Sequence, residues 1–595
     1  MCCTPSEVAR SLSMVPLMKS VGVIVNVEAR GASGPSMMFE TGVGNARLMD
    51  LFAGAVARPS ANSVTYEVYR LLPNDTDFSV YRKLGLTGFN FAYSNSASLY
   101  HSARDNLQYI DRKSLQHHGE HAFEVTRVLA DADLAALKSS SDASYFDAFG
   151  RTMVVWPAAL NLPLALLALA GIAGLIVVHR AAFTLRGTIW AIGATVAVPL
   201  LLFGIGWLLS YPLGIWPAVH PLDHPYPWPG RVATLTAALF AALVVAAVFS
   251  GRAEARALLL VNWLVLALIA AGVAYGVTGA SFPFLWPALA FAAIGWTETL
   301  LRRRSLAIAA WAGFFGITFF LISFALALEL VLGFHLTQYK ILVLMPVVLA
   351  LVPVLSACLA ETSAPAWFLS GVSAAVVMGA AAIASQTPAY APNHPRGLNI
   401  IYYDDKETRP RWLIGFIGLP DEAYLKAQAF PAADVPYKQL GLLDDHGRFK
   451  AATDAHLAAP ALSAAAISSA DGATTLRGTM RSGRSGVVMG IGFAAHAGIR
   501  SIRLDGQEVL SPEKLKGGDP TVTRFWGLGS REVPIEITYD STARPTITLY
   551  ELSPLPTSEE ARALVAGRPD DAAPAYRGDT SVVFTAVDLA GLKAP

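Results

Sequence analysis

The composition of this 595-residue chain excludes several classes of protein. Hydrophobic residues make up 54% of it and charged residues only 15%, whereas soluble globular proteins carry about 25% charged residues. A formal net charge of +1 gives no basic surface for the phosphates of a nucleic acid. Three cysteines, Cys2, Cys3 and Cys358, are too few for a disulfide scaffold and badly spaced for a thiolate metal site.

The first polar segment, residues 1–145, predicts strands that alternate with helices. The β-branched run 21–27 (VGVIVNV) predicts a buried strand that leads into Glu28, and residues 36–40 and 88–92 predict two more strands. This alternation indicates an α/β sheet. The predicted helices of the segment cover 45–56, 77–84 and 112–137.

Polar side chains follow the ends of these predicted strands. Glu28 follows the first strand, the turn 74–77 (NDTD) precedes a helix, and Tyr100 and His101 follow the third strand after a loop. A carboxylate and an imidazole at the carboxyl ends of strands are placed to share a ligand. Oxygen and nitrogen donors without a thiolate suit a catalytic zinc. The alternative is that these side chains are ordinary solvated loop residues.

Three stretches of this segment together resemble peptidase family 28, whose members are di-zinc aminopeptidases. They are VNVEARGASGPSMMFETG, LLPNDTDFSVYRKLGLTGFNFAY and YHSARDN, in that order between residues 15 and 140. The resemblance is to the second half of the peptidase domain, in the membrane-embedded branch of vacuolar and endoplasmic-reticulum metallopeptidases and their bacterial relatives. It implies a zinc-dependent aminopeptidase that acts on peptide substrates.

The resemblance also implies roles for four residues of this chain. Glu28 would bind one zinc ion and His101 the other. Asp75 falls on the aspartate of a Ser-Asp motif near the site, with Asn74 in place of the serine. Tyr100 lies beside the site and would stabilise an oxyanion.

The remaining parts of the family's site are expected upstream of Glu28. They are a His and a bridging Asp for the metals, then a Glu-Glu pair that supplies the general base and another ligand. Residues 1–20 contain none of these motifs, and they contain neither an export signal nor an apolar span. We therefore expect a chain that has lost its N-terminal part and is inactive by itself, with an incomplete zinc site.

The histidine-rich segment 116–121 (QHHGEH) is a second candidate for metal binding. His117 and His121 have the i, i+4 spacing of a metalloprotease helix, but Glu120 does not directly follow the first histidine as that motif requires. The favoured interpretation is a solvated helix face.

The middle of the chain predicts a membrane domain over residues 153–386. This block holds 14 charged residues in 234, whereas the other 361 residues hold 75. It divides into about eight apolar runs of the length that spans a bilayer. The predicted spans are 153–178, 188–211, 232–250, 257–278, 282–300, 306–333, 341–360 and 367–385.

The loops between these spans predict an orientation. Alternate loops hold seven arginines, while the short loops on the other side hold only Arg231 and Lys340. The positive-inside rule then places both polar domains outside the cytoplasm, in the periplasm or a lumen. The seven arginines are Arg180, Arg186, Arg252, Arg256, Arg302, Arg303 and Arg304.

The last polar segment, residues 387–595, predicts a β-rich domain. Short runs such as NIIYYDD, GVVMGIGF and PTITLYEL are separated by turns rich in Gly, Asp and Ser. This pattern favours an antiparallel sandwich. No acid–base pair or nucleophile arrangement stands out in it.

The functional hypothesis is therefore a membrane-bound zinc metallo-exopeptidase with no nucleic-acid partner. The main alternative is a non-catalytic membrane scaffold or binding protein that uses its outer domains for recognition. A transporter is the third hypothesis. It is disfavoured because Glu298, Glu329 and Glu361 lie near span ends, whereas ion-coupled transport needs ionisable groups at mid-span.

Overall fold

A computed structural model gives the fold, and its contacts divide the chain into two units. One unit comprises residues 2–100 and 104–390, and the other comprises residues 391–595 together with His101–Ala103. The structure describes residues 18, 20–72, 76–215, 223–249, 251–303, 305–359, 364–417, 420–432, 435–436, 446–494, 497–510, 521–526, 529, 531–576 and 578–594.

The first unit begins with the α/β part that the sequence predicts. Its central strand β3 pairs in parallel with β1 and antiparallel with β2, so the sheet order is β1-β3-β2. Phe89 and Phe91 on one face of β3 pack with Phe52 of the helix Ala46–Ala55 in a buried core. The elements are β1 (Val23–Ala29), β2 (Met37–Thr41), α1 (Ala46–Ala55), α2 (Ser63–Leu71), α3 (Asp77–Lys83), β3 (Thr87–Tyr93) and α4 (Arg112–Ala130).

Three details differ from the sequence prediction. Strand β1 is only partly buried, and Val27 is 51% exposed, because β1 pairs with β3 alone among the described strands. Helix α4 ends at Ala130 rather than near residue 137, because the Asp133 carboxylate accepts hydrogen bonds from the N–H groups of Ala135 and Ala136 and forms a local turn. Helix α2 was not predicted, although Asn62 caps it by accepting from Thr65 N–H at 2.9 Å.

A hairpin links the α/β part to the helical bundle. Its strands are β4 (Ala143–Ala148) and β5 (Thr152–Pro157), so the first membrane helix begins at Asn161 instead of residue 153. The long bundle helices are α5 (Asn161–Val178), α6 (Leu185–Ser210), α7 (Trp228–Phe249), α8 (Ala255–Gly276), α9 (Phe282–Leu300), α10 (Ala307–Leu332), α12 (Met345–Cys358) and α13 (Ala364–Gln386), with a short α11 (Thr337–Lys340) before α12.

Seven helical runs in the described part of the chain are long and apolar enough to cross a membrane, and one of them is α11 and α12 together, Thr337–Cys358. This number is near the predicted count of eight. The exception is α9, which carries two prolines and Glu298. Nevertheless α9 runs beside α5 along its length: its Trp296 indole donates to the Gly171 carbonyl at 2.9 Å, and Thr299 bonds His179 just beyond the end of α5 at 3.0 Å. Helix α9 therefore crosses the bundle as the other helices do.

Two predicted intramembrane acids have structural partners. Glu298 is 3% exposed and accepts a hydrogen bond from the Ala309 N–H, in the first turn of α10, at 2.9 Å. Glu329 forms a two-point ion pair with Arg231, at 2.7 and 3.1 Å. These contacts stabilise helix ends and helix pairs, because a buried charge needs a partner.

The second unit is rich in β-strands, as predicted. One sheet has the order β10-β11-β16-β13-β14 and the other the order β15-β12-β17-β19-β6-β7-β9-β8. The core between them includes Leu476, Ile491, Ile537 and Leu549. Most pairs are antiparallel, but β6 pairs with β19 in parallel. The strands are β6 (Arg396–Asp405), β7 (Arg411–Ile417), β8 (Val435–Pro436), β9 (His446–Ala451), β10 (Ala461–Ala470), β11 (Ala473–Arg481), β12 (Val488–Phe493), β13 (Ile499–Leu504), β14 (Gln507–Leu510), β15 (Thr521–Trp526), β16 (Val533–Asp540), β17 (Thr546–Pro554), β18 (Ala572–Ala573) and β19 (Thr580–Asp588).

Candidate functional site

The candidate site lies where β1 and β3 end. The two strands are parallel, with Glu28 opposite Ala92, so their carboxyl ends reach the same edge of the sheet. The chains stay paired beyond the strands, since the Ala32 N–H donates to the Asn95 carbonyl at 3.0 Å. Loops at the carboxyl ends of parallel strands are the usual place for a ligand site in α/β folds.

Glu28 occupies the first position at this edge. Partial burial and the nearby negative charge of Asp77 raise the pKa of its carboxyl, although hydrogen bonds from the Asp77 N–H and the Asn26 side chain oppose the shift. The N–H groups at the start of α3 therefore face this carboxylate. A half-buried acid that has a second acid as its neighbour suits the binding of a cationic group.

Asp75, the other acidic residue implied by the resemblance, lies outside the described residues, so its role stays a prediction. The acid that the structure brings to Glu28 is Asp77, two residues further on. From the sequence, Asp77 was predicted only as the start of a helix. The available signal was that Asp77 lies in the same NDTD turn as Asp75.

A buried polar network supports the edge from behind, and it was not predicted from the sequence. Asn26 donates to Asn90 at 2.9 Å, and Asn90 donates to Glu40 at 2.9 Å. Glu40 is 0% exposed and pairs with Arg82 at 3.2 Å. Asn26 lies two residues before Glu28, on the same face of β1. Asparagines inside two otherwise apolar strands were the available signal, because buried amides need partners.

Tyr100 and His101 follow a strained turn. Residues Ala97–Leu99 form a single 3-10 turn between Ser96 and Tyr100. Ser96 and His101 have φ values of +61° and +56°, in the left-handed region that non-glycine residues rarely occupy. Such strain persists only where neighbouring contacts hold it, and it clusters at functional sites.

The structure assigns Glu28 and His101 to different units. His101–Ala103 belong to the β-rich unit, in which the His101 ring packs edge-to-face on Tyr576 with ring centres 4.9 Å apart. The Tyr576 N–H donates to the His101 carbonyl, and the Ala103 N–H donates to the Pro574 carbonyl at 2.9 Å. The prediction that Glu28 and His101 are ligands of one metal site therefore stays a prediction.

The described residues do not by themselves fit a zinc centre. A protein zinc site takes three or four nitrogen, oxygen or sulfur ligands. Among the residues that the structure describes, no group of three or more His, Cys, Asp or Glu side chains is placed to hold a metal ion. We therefore derive no catalytic step through zinc.

The prediction of a solvated face for the histidines of α4 is wrong. His121 is 0% exposed, and burial lowers its pKa to about 4. His117 and His121 both donate from Nε2 to the Arg58 carbonyl at 2.8 Å. His118 bonds the buried Ser36 hydroxyl at 2.7 Å. The three imidazoles hold the loop before α2 and the start of β2, which explains their spacing without a metal.

Comparison with known proteins adds to this geometry. Residues 8–126, called the M28 segment from here on, match the model of peptidase family M28. The resemblance to family M28 and its membrane-embedded branch is confirmed. No solved structure matches the chain significantly.

The similar curated proteins are named as endoplasmic-reticulum metallopeptidases and vacuolar membrane proteases. The human "Endoplasmic reticulum metallopeptidase 1" is 29% identical over 152 residues, which cover 24% of this chain and 17% of the relative. The "Vacuolar membrane protease" of Eremothecium gossypii is 32% identical over 146 residues, or 24% of this chain and 14% of the relative. The match thus spans less than a fifth of the length of these relatives.

Proposed function

We propose that this chain is a multi-pass membrane member of the metallo-aminopeptidase type, which binds peptides outside the cytoplasm at a site that its described residues form only in part. The observation that carries the proposal is the fold of the M28 segment. This segment forms a sheet whose strand end presents Glu28 beside the start of α3, and its relatives are named metallopeptidases and proteases. The resemblance gives zinc as the cofactor, as a pair in the intact family.

The contacts of the α/β part support its placement outside the cytoplasm. Ser63 donates to the Gly279 carbonyl at 2.6 Å, and Ser98 donates to Asp223 at 2.8 Å. Gly279 and Asp223 lie in the α8–α9 and α6–α7 connections, so these two connections and the α/β part share one face of the bundle. The connections at the opposite helix ends carry the arginine excess, which the positive-inside rule assigns to the cytoplasm.

Two side chains of this chain have roles in the proposed site. The Glu28 carboxylate provides negative charge for a metal ion or for the ammonium group of a peptide's N-terminus. The Tyr100 hydroxyl would donate a hydrogen bond to an oxygen that becomes negative during attack on the peptide carbonyl. Asp75 and His101 would complete the contribution of these residues, and the four do not by themselves make up a two-zinc site.

Zinc content and aminopeptidase activity test the proposal directly. We expect fewer than two zinc ions per purified chain and no turnover of an aminoacyl-coumarin substrate. Glu28→Gln should reduce whatever zinc is bound, whereas Glu508→Gln, a change at an exposed residue of β14, should not. Two bound zinc ions with turnover would overturn the incomplete-site proposal.

Peptide binding separates the peptidase proposal from the scaffold alternative. A fluorescent peptide with a free N-terminus should bind at least about tenfold more tightly than its N-acetylated form, because only the former carries an ammonium group for Glu28. Glu28→Gln should remove this difference. Equal binding of both peptides by the wild-type chain would favour a non-catalytic binding protein.

A further inference from the structure

Asp223, in the connection between α6 and α7, contacts the turn that follows β3 in the candidate site. The Asp223 carboxylate accepts two hydrogen bonds from Ser98, one from its N–H at 3.2 Å and one from its hydroxyl at 2.8 Å. Asp223 belongs to the helical bundle and Ser98 to the α/β part, and 125 residues separate them in the sequence. A membrane connection thus contacts the turn that leads directly into Tyr100.

The position of Ser98 explains why this contact matters. Ser98 lies inside the 3-10 turn Ala97–Leu99, and the first N–H groups of such a turn have no partner within it. Asp223 supplies that partner, and bonds to an ionised acceptor are stronger than neutral ones. On the other side of the turn, the Ser96 hydroxyl bonds the Ser33 hydroxyl at 3.0 Å. External contacts therefore hold the strained backbone at Ser96 from two sides.

Asp223 is itself anchored in the bundle through its neighbour His224. The His224 side chain is buried, its Nδ1 accepts from the Tyr226 N–H at 2.9 Å, and its ring lies edge-on to Phe334 with centres 6.2 Å apart. Phe334 is part of the bundle core just after α10. The carboxylate thus extends from a fixed point of the membrane domain.

The α/β part is also fixed on the bundle at a second place. Asn161, the first residue of α5, donates to the Ser144 hydroxyl at 2.6 Å and to the Thr278 carbonyl at 2.9 Å. Nearby, the Phe146 ring stacks on Phe282 with centres 5.1 Å apart. With this second attachment in place, Asp223 meets Ser98 as part of a defined interface.

We propose that Asp223 is a positioning residue of the candidate site, through which the membrane bundle holds the Ser96–Tyr100 turn. This inference rests on the proposed function, since it assigns the turn to a peptide site. The α/β part forms the peptide site, and Asp223 holds its Ser96–Tyr100 turn from the bundle. Peptide substrates therefore bind beside the membrane surface, and the M28 segment needs the bundle to present Tyr100 correctly.

Hydrogen exchange on the full-length protein in detergent tests the contact. Asp223→Ala should accelerate exchange of the amides in residues 96–100 by roughly tenfold or more, because two charge-assisted hydrogen bonds are lost. Asp223→Glu, which keeps the carboxylate, should restore most of the protection. Exchange in α4 and the apparent melting temperature should stay unchanged, so the effect is local.

A matched control removes a carboxylate from another connection of the bundle. Glu254 lies between α7 and α8 and pairs with Arg256 at 3.2 Å. Glu254→Ala should leave exchange at residues 96–100 unaltered. Unchanged exchange in Asp223→Ala would overturn the proposal. Equal acceleration in Asp223→Ala and Asp223→Glu would also overturn it, because the carboxylate would then not be the cause.

Peptide binding distinguishes a failure of this inference from a failure of the proposed function. Asp223→Ala should weaken binding of the free N-terminus peptide about tenfold, with recovery in Asp223→Glu. If the wild-type chain shows no preference for the free N-terminus while exchange still responds to Asp223, the proposed function fails and the positioning contact stands. If the preference is present and Asp223→Ala changes neither exchange nor affinity, only the positioning role fails.

Discussion

Two acidic groups on the same sheet of the α/β part differ in how completely they are paired. Glu40 is fully buried and has Asn90 and Arg82 as partners. Glu28 is only partly buried, and the charged group beside it is another acid, Asp77. A buried acid with complementary partners stabilises the fold, whereas an acid beside a like charge is placed for a ligand. The comparison therefore separates structural from candidate functional carboxylates within one small sheet.

The largest expected effect is the loss of the paired acid. Glu40→Ala removes the carboxylate partner of Arg82 and one of the two acceptors of Asn90. Breaking such a buried pair should destabilise the α/β part by about 3 kcal/mol. Thermal unfolding in detergent measures the change. Glu508→Ala on exposed β14 is the control. If Glu40→Ala lost as little stability as the control, the distinction between a structural Glu40 and a functional Glu28 would fail.

The buried imidazole of His121 provides a test by pH. Burial lowers its pKa to about 4. Between about pH 6.5 and pH 4 the imidazole is therefore protonated in the unfolded state but neutral in the folded state. Stability should be complete above that pH and fall by about 2–3 kcal/mol as the pH drops to 4. His121→Gln, which keeps a donor for the Arg58 carbonyl, should flatten this part of the profile. An unchanged profile in that variant would assign the pH dependence to other groups.

The polar attachment of the α/β part to the bundle should contribute less. Asn161 accepts from the Trp156 indole at 2.6 Å and donates to Ser144 and Thr278. Asn161→Ala should therefore cost about 2 kcal/mol and increase protease cleavage of the β4–β5 hairpin. Asn161→Asp, which keeps the acceptor, should restore the Trp156 contact alone. Wild-type resistance to protease in Asn161→Ala would show that the aromatic contacts suffice.

The smallest stability effect should come from Glu28, the acid beside a like charge. Glu28→Gln should change stability by less than about 0.5 kcal/mol at pH 7. Because the pKa of Glu28 is raised in the folded protein, its ionisation disfavours folding as the pH rises through that pKa. The wild-type chain should therefore lose stability relative to Glu28→Gln from acidic to neutral pH. If Glu28→Gln strongly destabilised the protein, Glu28 would be a structural residue like Glu40.

Periodicity and composition predicted the elements better than their contacts. The apolar run into Glu28 and the predicted helix 77–84 correspond to β1 and α3, because local burial patterns determine such elements. The second strand of the β4–β5 hairpin falls within the first predicted span, since its sequence TMVVWP is as apolar as the helix that follows. Apolar strands and apolar helices are not distinguishable by hydropathy alone.

The sequence predicts a residue of the candidate site only where a local pattern marks that residue. A strand that ends in an acid indicated Glu28, whereas the contact of Asp223 with Ser98 joins residues far apart in sequence and has no local pattern. The sequence favours a solvated face for the histidines of α4 because polar residues usually face water. Their partners are the Arg58 carbonyl and the Ser36 hydroxyl, which no sequence pattern reveals.

The parallel pairing of β6 with β19 has a consequence for biosynthesis. Strand β6 begins ten residues after α13, whereas β19 ends at Asp588. The larger sheet therefore stays open until residue 588 has left the ribosome. Contacts over such a sequence separation form slowly. The membrane helices and the M28 segment precede β19 in the chain, so they have time to assemble before the larger sheet closes.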